Sequence, residues 1–355
     1  MNRSISTIIA ALALLCSGSA LAQNLVVGAD FTTRFDNREY SSNEFDRSQT
    51  LFSARLTPRI GVEWAEKNRL IFGVDMLQNF GHNEAFLSKV RPVMYYQFRT
   101  EKVVATAGIF DVKEMQGDYP RAMISDSMLF YENRLQGLMG RYTSTRRTGT
   151  FVEMALDWCG LKYGETSRER FRIISAGEMA FWEEKFRFGY AFQMYHFAGS
   201  KAEPNVSDNV MLNPFIGTKF NAYLNFSIKA GALIAPQRLR WLDEGWQMPC
   251  GALVDICIEK WGVKIENELY LGDNLMTYYD VYGGGLYLGE PFYRTTKGIY
   301  NRTMVGYERS FFDGSLHVEA GMLFHYDGVG LGTSQLVKVG VDIEKLLNIG
   351  KKSRN

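Results

Sequence analysis

The chain alternates apolar and polar residues over long stretches, and this period of two restricts its possible folds more than any other feature. Between Phe52 and Trp64, every second residue is apolar, while the intervening positions are polar or glycine and include Arg55, Arg59 and Glu63. Successive side chains of an extended strand point to opposite faces. This segment therefore predicts a β-strand with one apolar and one polar face, longer than the roughly 5 to 6 residues typical of strands in globular proteins.

The same alternation recurs along the remainder of the sequence. Clear examples cover residues 69–77, 89–99, 151–158, 185–197, 261–271, 315–326 and 336–344. Weaker candidates lie at residues 24–34, 103–112, 134–143, 171–181, 213–220, 222–234, 250–259 and 300–310. Together with the first segment, these stretches predict about sixteen strands.

The connections between the predicted strands alternate in length. Short ones include residues 65–68, 100–102 and 144–149, and long ones include residues 35–49, 113–133 and 272–299. Short turns at one end and long loops at the other are typical of outer-membrane barrels. With its apolar faces turned inward, a closed sheet of this size would enclose a lumen too wide for side chains to fill. We therefore predict an all-β fold, a transmembrane antiparallel up-and-down β-barrel over residues 23–355, with Ile60 facing lipid and Thr57 facing water.

The N-terminus predicts export from the cytoplasm. Arg3 is followed by an apolar run from Ile8 to Leu15 and by a small-residue cleavage motif at residues 20–22. The apolar run is far shorter than the ~20 residues that a membrane-spanning helix requires. Residues 1–22 are therefore expected to be a cleaved signal peptide, and the bacterial outer membrane is the expected location.

Composition excludes several classes of function. The net charge is +1, and the basic residues are scattered, so the sequence predicts no nucleic-acid partner. The four histidines show no metal-ligand spacing, and the glycine-rich stretches match no nucleotide-binding pattern, so we expect neither metal nor cofactor. Three cysteines remain after signal cleavage, and the sequence leaves open whether Cys250 and Cys257 form a single disulfide bond.

By strand number and pattern, the mature sequence resembles the bacterial outer-membrane porins. The pattern also looks like that of barrels from Bacteroidota. The resemblance implies a channel for passive diffusion of small polar solutes, without enzyme activity and without a separate plug domain. The expected partners are outer-membrane lipid and small polar solutes. The sequence leaves open whether the protein forms a homo-oligomer. One departure is that the chain continues past the last predicted strand with Leu346, Leu347 and a basic tail, where porins usually end on an aromatic residue.

The resemblance also implies a site. The segment 113–133 is the third long loop, which in sixteen-stranded porins folds into the lumen and narrows it. Charged residues of this loop and of the early strands are predicted to line the constriction, namely Arg55, Arg59 and Arg91 on the wall and Glu114, Asp118, Arg121 and Asp126 in the loop. Opposed charges across a pore set its selectivity. The alternative, that the loop covers the barrel mouth, stays open.

Two other functions remain as alternatives. The aromatic-rich loop at 272–299 is suited to binding a partner by stacking, as in an adhesive or structural barrel. A lipid-acting enzyme is the other alternative, and its candidate residues are His196 and Ser200. His196 lies on the apolar parity of its strand, which predicts that it faces the membrane side.

Overall fold

The structure is a computed structural model that describes residues 24–44, 47–81, 83–162, 164–202, 205–242 and 244–348. The predicted signal peptide lies outside the described residues.

The described chain consists mainly of long antiparallel strands. They are β1 (Asn24–Glu39), β2 (Gln49–Trp64), β3 (Asn68–Asn79), β4 (Lys89–Arg99), β5 (Val103–Asp111), β6 (Arg134–Thr143), β7 (Phe151–Gly160), β8 (Arg170–Phe181), β9 (Phe186–Phe197), β10 (Ser207–Asn221), β11 (Asn225–Ile234), β12 (Gln237–Leu239), β13 (Cys250–Lys260), β14 (Val263–Gly272), β15 (Ile299–Phe311), β16 (Leu316–Tyr326) and β17 (Leu331–Asn348). Cys250 and Cys257 are free thiols on the same extended strand, β13, which separates their sulfur atoms.

The sheet closes on itself, because β1 pairs with β17 from Asn24 opposite Asn348 to Glu39 opposite Thr333. Strands that follow one another in sequence also pair antiparallel, except that β12 has no ladder with β11 or β13, and β11 pairs with β13 instead. The short β12 and the preceding β11 both pair with β10, so β12 continues β11 beyond an interruption at Pro236. Proline lacks the N–H that the ladder requires. The structure is thus a closed antiparallel barrel sixteen strands around, which confirms the predicted fold class.

The two faces of the strands have the predicted polarity. On β2, Ile60 and Phe52 are 53% and 44% exposed on the outer surface, whereas Arg55 and Thr57 are 5% and 4% exposed inside the barrel. Apolar side chains outside and polar ones inside are the pattern of a barrel embedded in lipid. The protein is therefore an outer-membrane β-barrel. None of the helices among the described residues is long and apolar enough to cross a membrane.

Two long connections fold into the barrel, and we call them the first infolded segment (residues 112–133) and the second infolded segment (residues 273–298). The first contains helix α1 (Asp126–Tyr131), whose N-terminus is capped by the Ser125 hydroxyl accepting from the Met128 N–H at 3.0 Å. The second contains the short helix α2 (Tyr279–Tyr282).

Contacts with opposite walls place the first infolded segment inside the lumen. Its Asp118 contacts Lys229 on β11 at 2.8 Å, and its Asp126 contacts Arg302 on β15 at 3.0 Å. Arg34 on β1 donates to the carbonyl oxygen of Asp126 at 2.8 Å.

A hydrophobic core fills the lumen toward the long-loop end. It combines inward-facing wall residues with both infolded segments, and its buried members include Phe110, Met123, Leu135, Ile174, Leu233, Leu253, Tyr270, Leu275, Leu286, Phe292, Tyr293 and Tyr300. The barrel therefore carries a plug that is built from its own loops. Because Phe292 and Tyr293 are 0% exposed, much of the aromatic surface proposed for an adhesive partner is unavailable.

Candidate functional site

Two of the predicted constriction residues, Arg55 and Arg91, surround a buried carboxylate on the lumen wall. Asp75, 1% exposed, lies 3.5 Å from Arg55 and 3.6 Å from Arg91, and 3.2 Å from Arg134. The Thr57 hydroxyl donates to the same carboxylate at 3.0 Å. The wall cations of this part of the lumen are thus compensated by a wall acid.

Arg59 lies nearer to the short-turn end and also pairs with wall acids. Its guanidinium contacts Asp342 at 2.7 Å and Glu344 at 3.4 Å, both on β17. Asp30 on β1 lies directly opposite Asp342 because these two strands close the barrel. Lys113 of the first infolded segment pairs with Asp30 and lies 3.3 Å from Asp342.

The four predicted loop residues lie inside the barrel and contact three different parts of its wall. Glu114 lies 3.5 Å from Arg99, and Asp118 pairs with Lys229. Arg121 lies 3.4 Å from Asp126 within the loop, and it contacts the β14 carboxylates Glu268 at 3.2 Å and Glu266 at 3.4 Å. The structure thus brings all seven predicted residues into the lumen but distributes them over separate ion-pair networks.

Cavities remain between the first infolded segment and the wall, and two of them have volumes of about 540 Å³ and 240 Å³. Both are lined by Asp30, Thr57, Asp111 and Lys113, so the cavities meet at these residues. The alternation did not indicate Asp30 or Lys113 as site residues, because Lys113 contacts Asp30 only when the first infolded segment lies in the lumen.

A second group of candidate functional side chains forms a row on the outer surface. In the strand registers, Trp158 lies opposite Phe171, Phe171 opposite His196, His196 opposite Asp208, and Asp208 opposite Arg238. The row crosses β7, β8, β9, β10 and β12 near their long-loop ends. We call these five residues, together with Arg240, the outer row.

The charged part of the outer row centres on Asp208. His196 Nδ1 lies 3.2 Å from Asp208 Oδ1, and Arg238 Nε donates to Asp208 Oδ2 at 2.9 Å. Arg240 forms two bonds to the same carboxylate, of 2.7 and 2.8 Å. A carboxylate on Nδ1 orients the imidazole ring and directs Nε2 away from the acid. The pair thus has the geometry of an oriented general base.

The aromatic part of the outer row adjoins the histidine. The rings of Trp158 and Phe171 stack with centroids 5.7 Å apart, and the ring of Phe171 lies 4.9 Å from that of His196. At the other end, the Arg238 guanidinium lies 4.5 Å from the ring centroid of Trp246.

The sequence predicted the outward position of His196 but not its partner. Ser200, the predicted partner, is 3% exposed in the connection after β9, and the acid that contacts His196 is Asp208 at the start of β10. The available signal was Asp208 itself, an acidic residue ahead of the strand predicted at residues 213–220, in step with the apolar positions of that strand.

Solved structures with similar folds are outer-membrane porins. OpdK of Pseudomonas aeruginosa, solved with vanillate, has 8% identity and a TM-score of 0.51, with 90% of this chain and 99% of that chain covered. The anion-selective porin of Comamonas acidovorans has 11% identity and a TM-score of 0.50, with 91% and 100% covered. At such identities the likeness supports the barrel fold alone. The Bacteroidota type remains a prediction, and no curated protein matches the sequence.

A family model gives a different indication of activity. The lipid A 3'-O-deacylase-type model matches residues 18–326, which is most of the chain. The prediction that this protein is not an enzyme is therefore wrong, because the matching family is one of deacylases. By this match, the chain belongs to the lipid A 3'-O-deacylase-type family.

Proposed function

We propose that the protein hydrolyses an ester-linked acyl chain of an outer-leaflet lipid such as lipid A, and that the outer row is its active site. The observation that carries the proposal is the His196–Asp208 pair on the outer surface of a barrel from a deacylase family. A lipid in the outer leaflet has direct access to this surface without entering the lumen.

The position of the outer row along the strands, above an apolar band and near the long-loop ends, agrees with this role. On the outward faces of β8, β9 and β10, the positions toward the short-turn ends are mainly apolar, including Ile173, Met179, Phe188, Phe192, Met194, Leu212 and Ile216. Above this apolar band, the side chains of Arg238 and Arg240 are 36% and 47% exposed. Acyl chains would contact the band, while headgroups would lie level with the charged residues.

The geometry suggests how the row would act. With Nδ1 bound to Asp208, His196 would take a proton from a water molecule at Nε2 as that water attacks the ester carbonyl carbon. The same proton would pass to the departing alkoxide when the ester C–O bond breaks, which yields a fatty acid and an alcohol. The exposed N–H groups of Arg238 and Arg240 would stabilise negative charge on the lipid.

The test is fatty-acid release from vesicles that contain lipid A, measured by mass spectrometry with purified protein. Loss of a general base typically costs 100-fold or more, so His196→Ala is expected to reduce release by at least about 100-fold.

His317→Ala is the matched control, because His317 lies 3.5 Å from Glu308 at the short-turn end of β16, far from the outer row. It should release fatty acid at the wild-type rate. Release that persists in His196→Ala, or that is absent from the wild-type protein, would contradict the proposal.

We propose passage of small polar solutes as a second function, supported by the charged lumen and by the two cavities that meet at Lys113. The predicted residues Arg55, Arg59, Arg91, Glu114, Asp118, Arg121 and Asp126 would line the constriction. Arg59→Gln would leave Asp342 and Glu344 without this cation and should shift ion preference toward cations, measured as reversal potential in planar bilayers. Lys102→Gln, in an exposed turn, is the control, and equal reversal potentials for both variants would count against the constriction.

A further inference from the structure

The two infolded segments are bonded to each other as well as to the wall. The Ser125 N–H donates to the Leu288 carbonyl at 3.0 Å, and the Glu290 N–H donates to the Arg121 carbonyl at 2.8 Å. The Asp126 N–H donates to the Glu290 carboxylate at 3.2 Å. We call this set of contacts the junction. Main-chain bonds on both sides of one residue, position 289, hold the two segments together as one body.

Position 289 is glycine because the backbones approach too closely for a side chain. A Cβ atom at Gly289 would lie 1.9 Å from the carbonyl oxygen of Ala122 and 2.9 Å from that of Arg121. These are backbone atoms, which cannot rotate away as a flexible side chain would. By contrast, a Cβ atom at Gly284 of the same segment would meet nothing within 4 Å.

The junction also brings two acids together, Asp126 and Glu290, and the cations pair with Asp126. Asp126 lies 3.0 Å from Arg302 and 3.4 Å from Arg121. Burial, together with the negative charge of Asp126, raises the pKa of Glu290 to about 7, although Arg38, Arg302 and Arg34 lower it. Glu290 is therefore the acid of this site that favours its neutral form.

We propose that the two infolded segments are a single gate across the lumen, closed by the approach of Gly289 to Ala122 and by the contact of Glu290 with Asp126. The gate rests on the proposed passage of solutes and is independent of acyl-ester hydrolysis at the outer row. Its ligand is the solute itself, since the closed body occupies the lumen toward the long-loop end.

The direction of its pH dependence follows from Glu290. In a displaced, hydrated segment the carboxyl would regain its ordinary pKa of 4.5, compared with about 7 in the closed junction. The closed state is thus most favoured below pH 4.5 and loses this advantage as pH rises to about 7. The closed-to-open ratio falls by up to about 300-fold over this interval, an upper limit because Glu290 retains some exposure in the lumen.

Single-channel recording in planar bilayers at pH 5 and pH 8 tests the gate. We expect a higher open probability at pH 8 for the wild-type protein, and a low, pH-independent one for Glu290→Gln. Gly289→Ala should be open at both pH values, while Gly284→Ala should behave as wild type. Wild-type behaviour of Gly289→Ala, or retained pH dependence in Glu290→Gln, would overturn the gate.

A second measurement separates the gate from the passage of solutes. Met123 of the first infolded segment is 0% exposed, so a cysteine at this position reports displacement of the segment. Cys159, Cys250 and Cys257 are first changed to alanine. The rate of maleimide labelling of Met123→Cys is then measured at one pH. Faster labelling in Gly289→Ala than in Gly284→Ala supports a displaceable body. If the bilayer recordings show no channel currents while this difference in labelling is seen, the proposed passage of solutes is wrong and the displaceable body stands. Equal labelling overturns the gate.

Discussion

Replacing Asp75 by alanine is expected to lower the free energy of unfolding by about 3 to 5 kcal/mol, because removal of one partner from a buried ion pair leaves uncompensated charge. Asp75 is 1% exposed and is the shared acid of Arg55, Arg91 and Arg134. Without it, these guanidinium groups on the lumen wall would repel one another. The Thr57 hydroxyl would also lose its acceptor.

The measurement is urea-induced unfolding in phospholipid vesicles, followed by tryptophan fluorescence. Asp75→Asn should show most of the loss, since it keeps the size of the side chain and removes its charge. The matched control is Asp280→Ala, because Asp280 is 89% exposed and contacts Arg294 at 2.6 Å. Exposed pairs contribute roughly 0 to 1 kcal/mol. Similar losses for Asp75→Ala and Asp280→Ala would contradict the importance of the buried network.

Replacing Ile60 by arginine is expected to cost about 2 to 4 kcal/mol, since the guanidinium would face the hydrocarbon near the middle of β2. Ile60 is 53% exposed on the outer surface, where lipid replaces water. The same unfolding assay, run in vesicles of increasing acyl-chain length, should show the cost rising as the bilayer becomes thicker.

The control for Ile60→Arg must place the same charge inside the barrel. Thr57→Arg, which the alternation alone favours, is unsuitable because Thr57 is 4% exposed and bonded to Asp75 and Arg134. Thr32→Arg is better, since Thr32 lines the cavity of about 540 Å³. A cost for Thr32→Arg equal to that for Ile60→Arg would mean that the two faces are assigned wrongly.

The alternation predicted the strands because lipid and water act on successive residues of one extended chain. It predicted the strand positions around the barrel and the polarity of Ile60 and Arg55, but not the full lengths of β1 and β17 or the short β12. Those parts are held by ladder hydrogen bonds, which leave little trace in the side-chain pattern.

The sites were less predictable, because they depend on contacts between distant parts of the chain. Arg121 contacts Glu268 because the first infolded segment lies in the lumen, and Glu290 contacts Asp126 because both infolded segments do. Similarly, the outward position of His196 followed from parity, whereas its pairing with Asp208 required the register of β9 and β10. The alternation along one strand predicts which face of the sheet a side chain occupies. The pairing register between strands determines which side chain lies beside it.

The first infolded segment leaves the wall at Asp111 and returns at Arg134, and these two residues are directly paired between β5 and β6. Both ends of the segment are therefore held about 5 Å apart whether or not the segment occupies the lumen. A displaced segment stays tethered at an effective concentration in the millimolar range near its docking site. Reclosure would therefore be a first-order process at a rate that does not depend on protein concentration, so the protein would not need a separate blocking partner to shut its lumen.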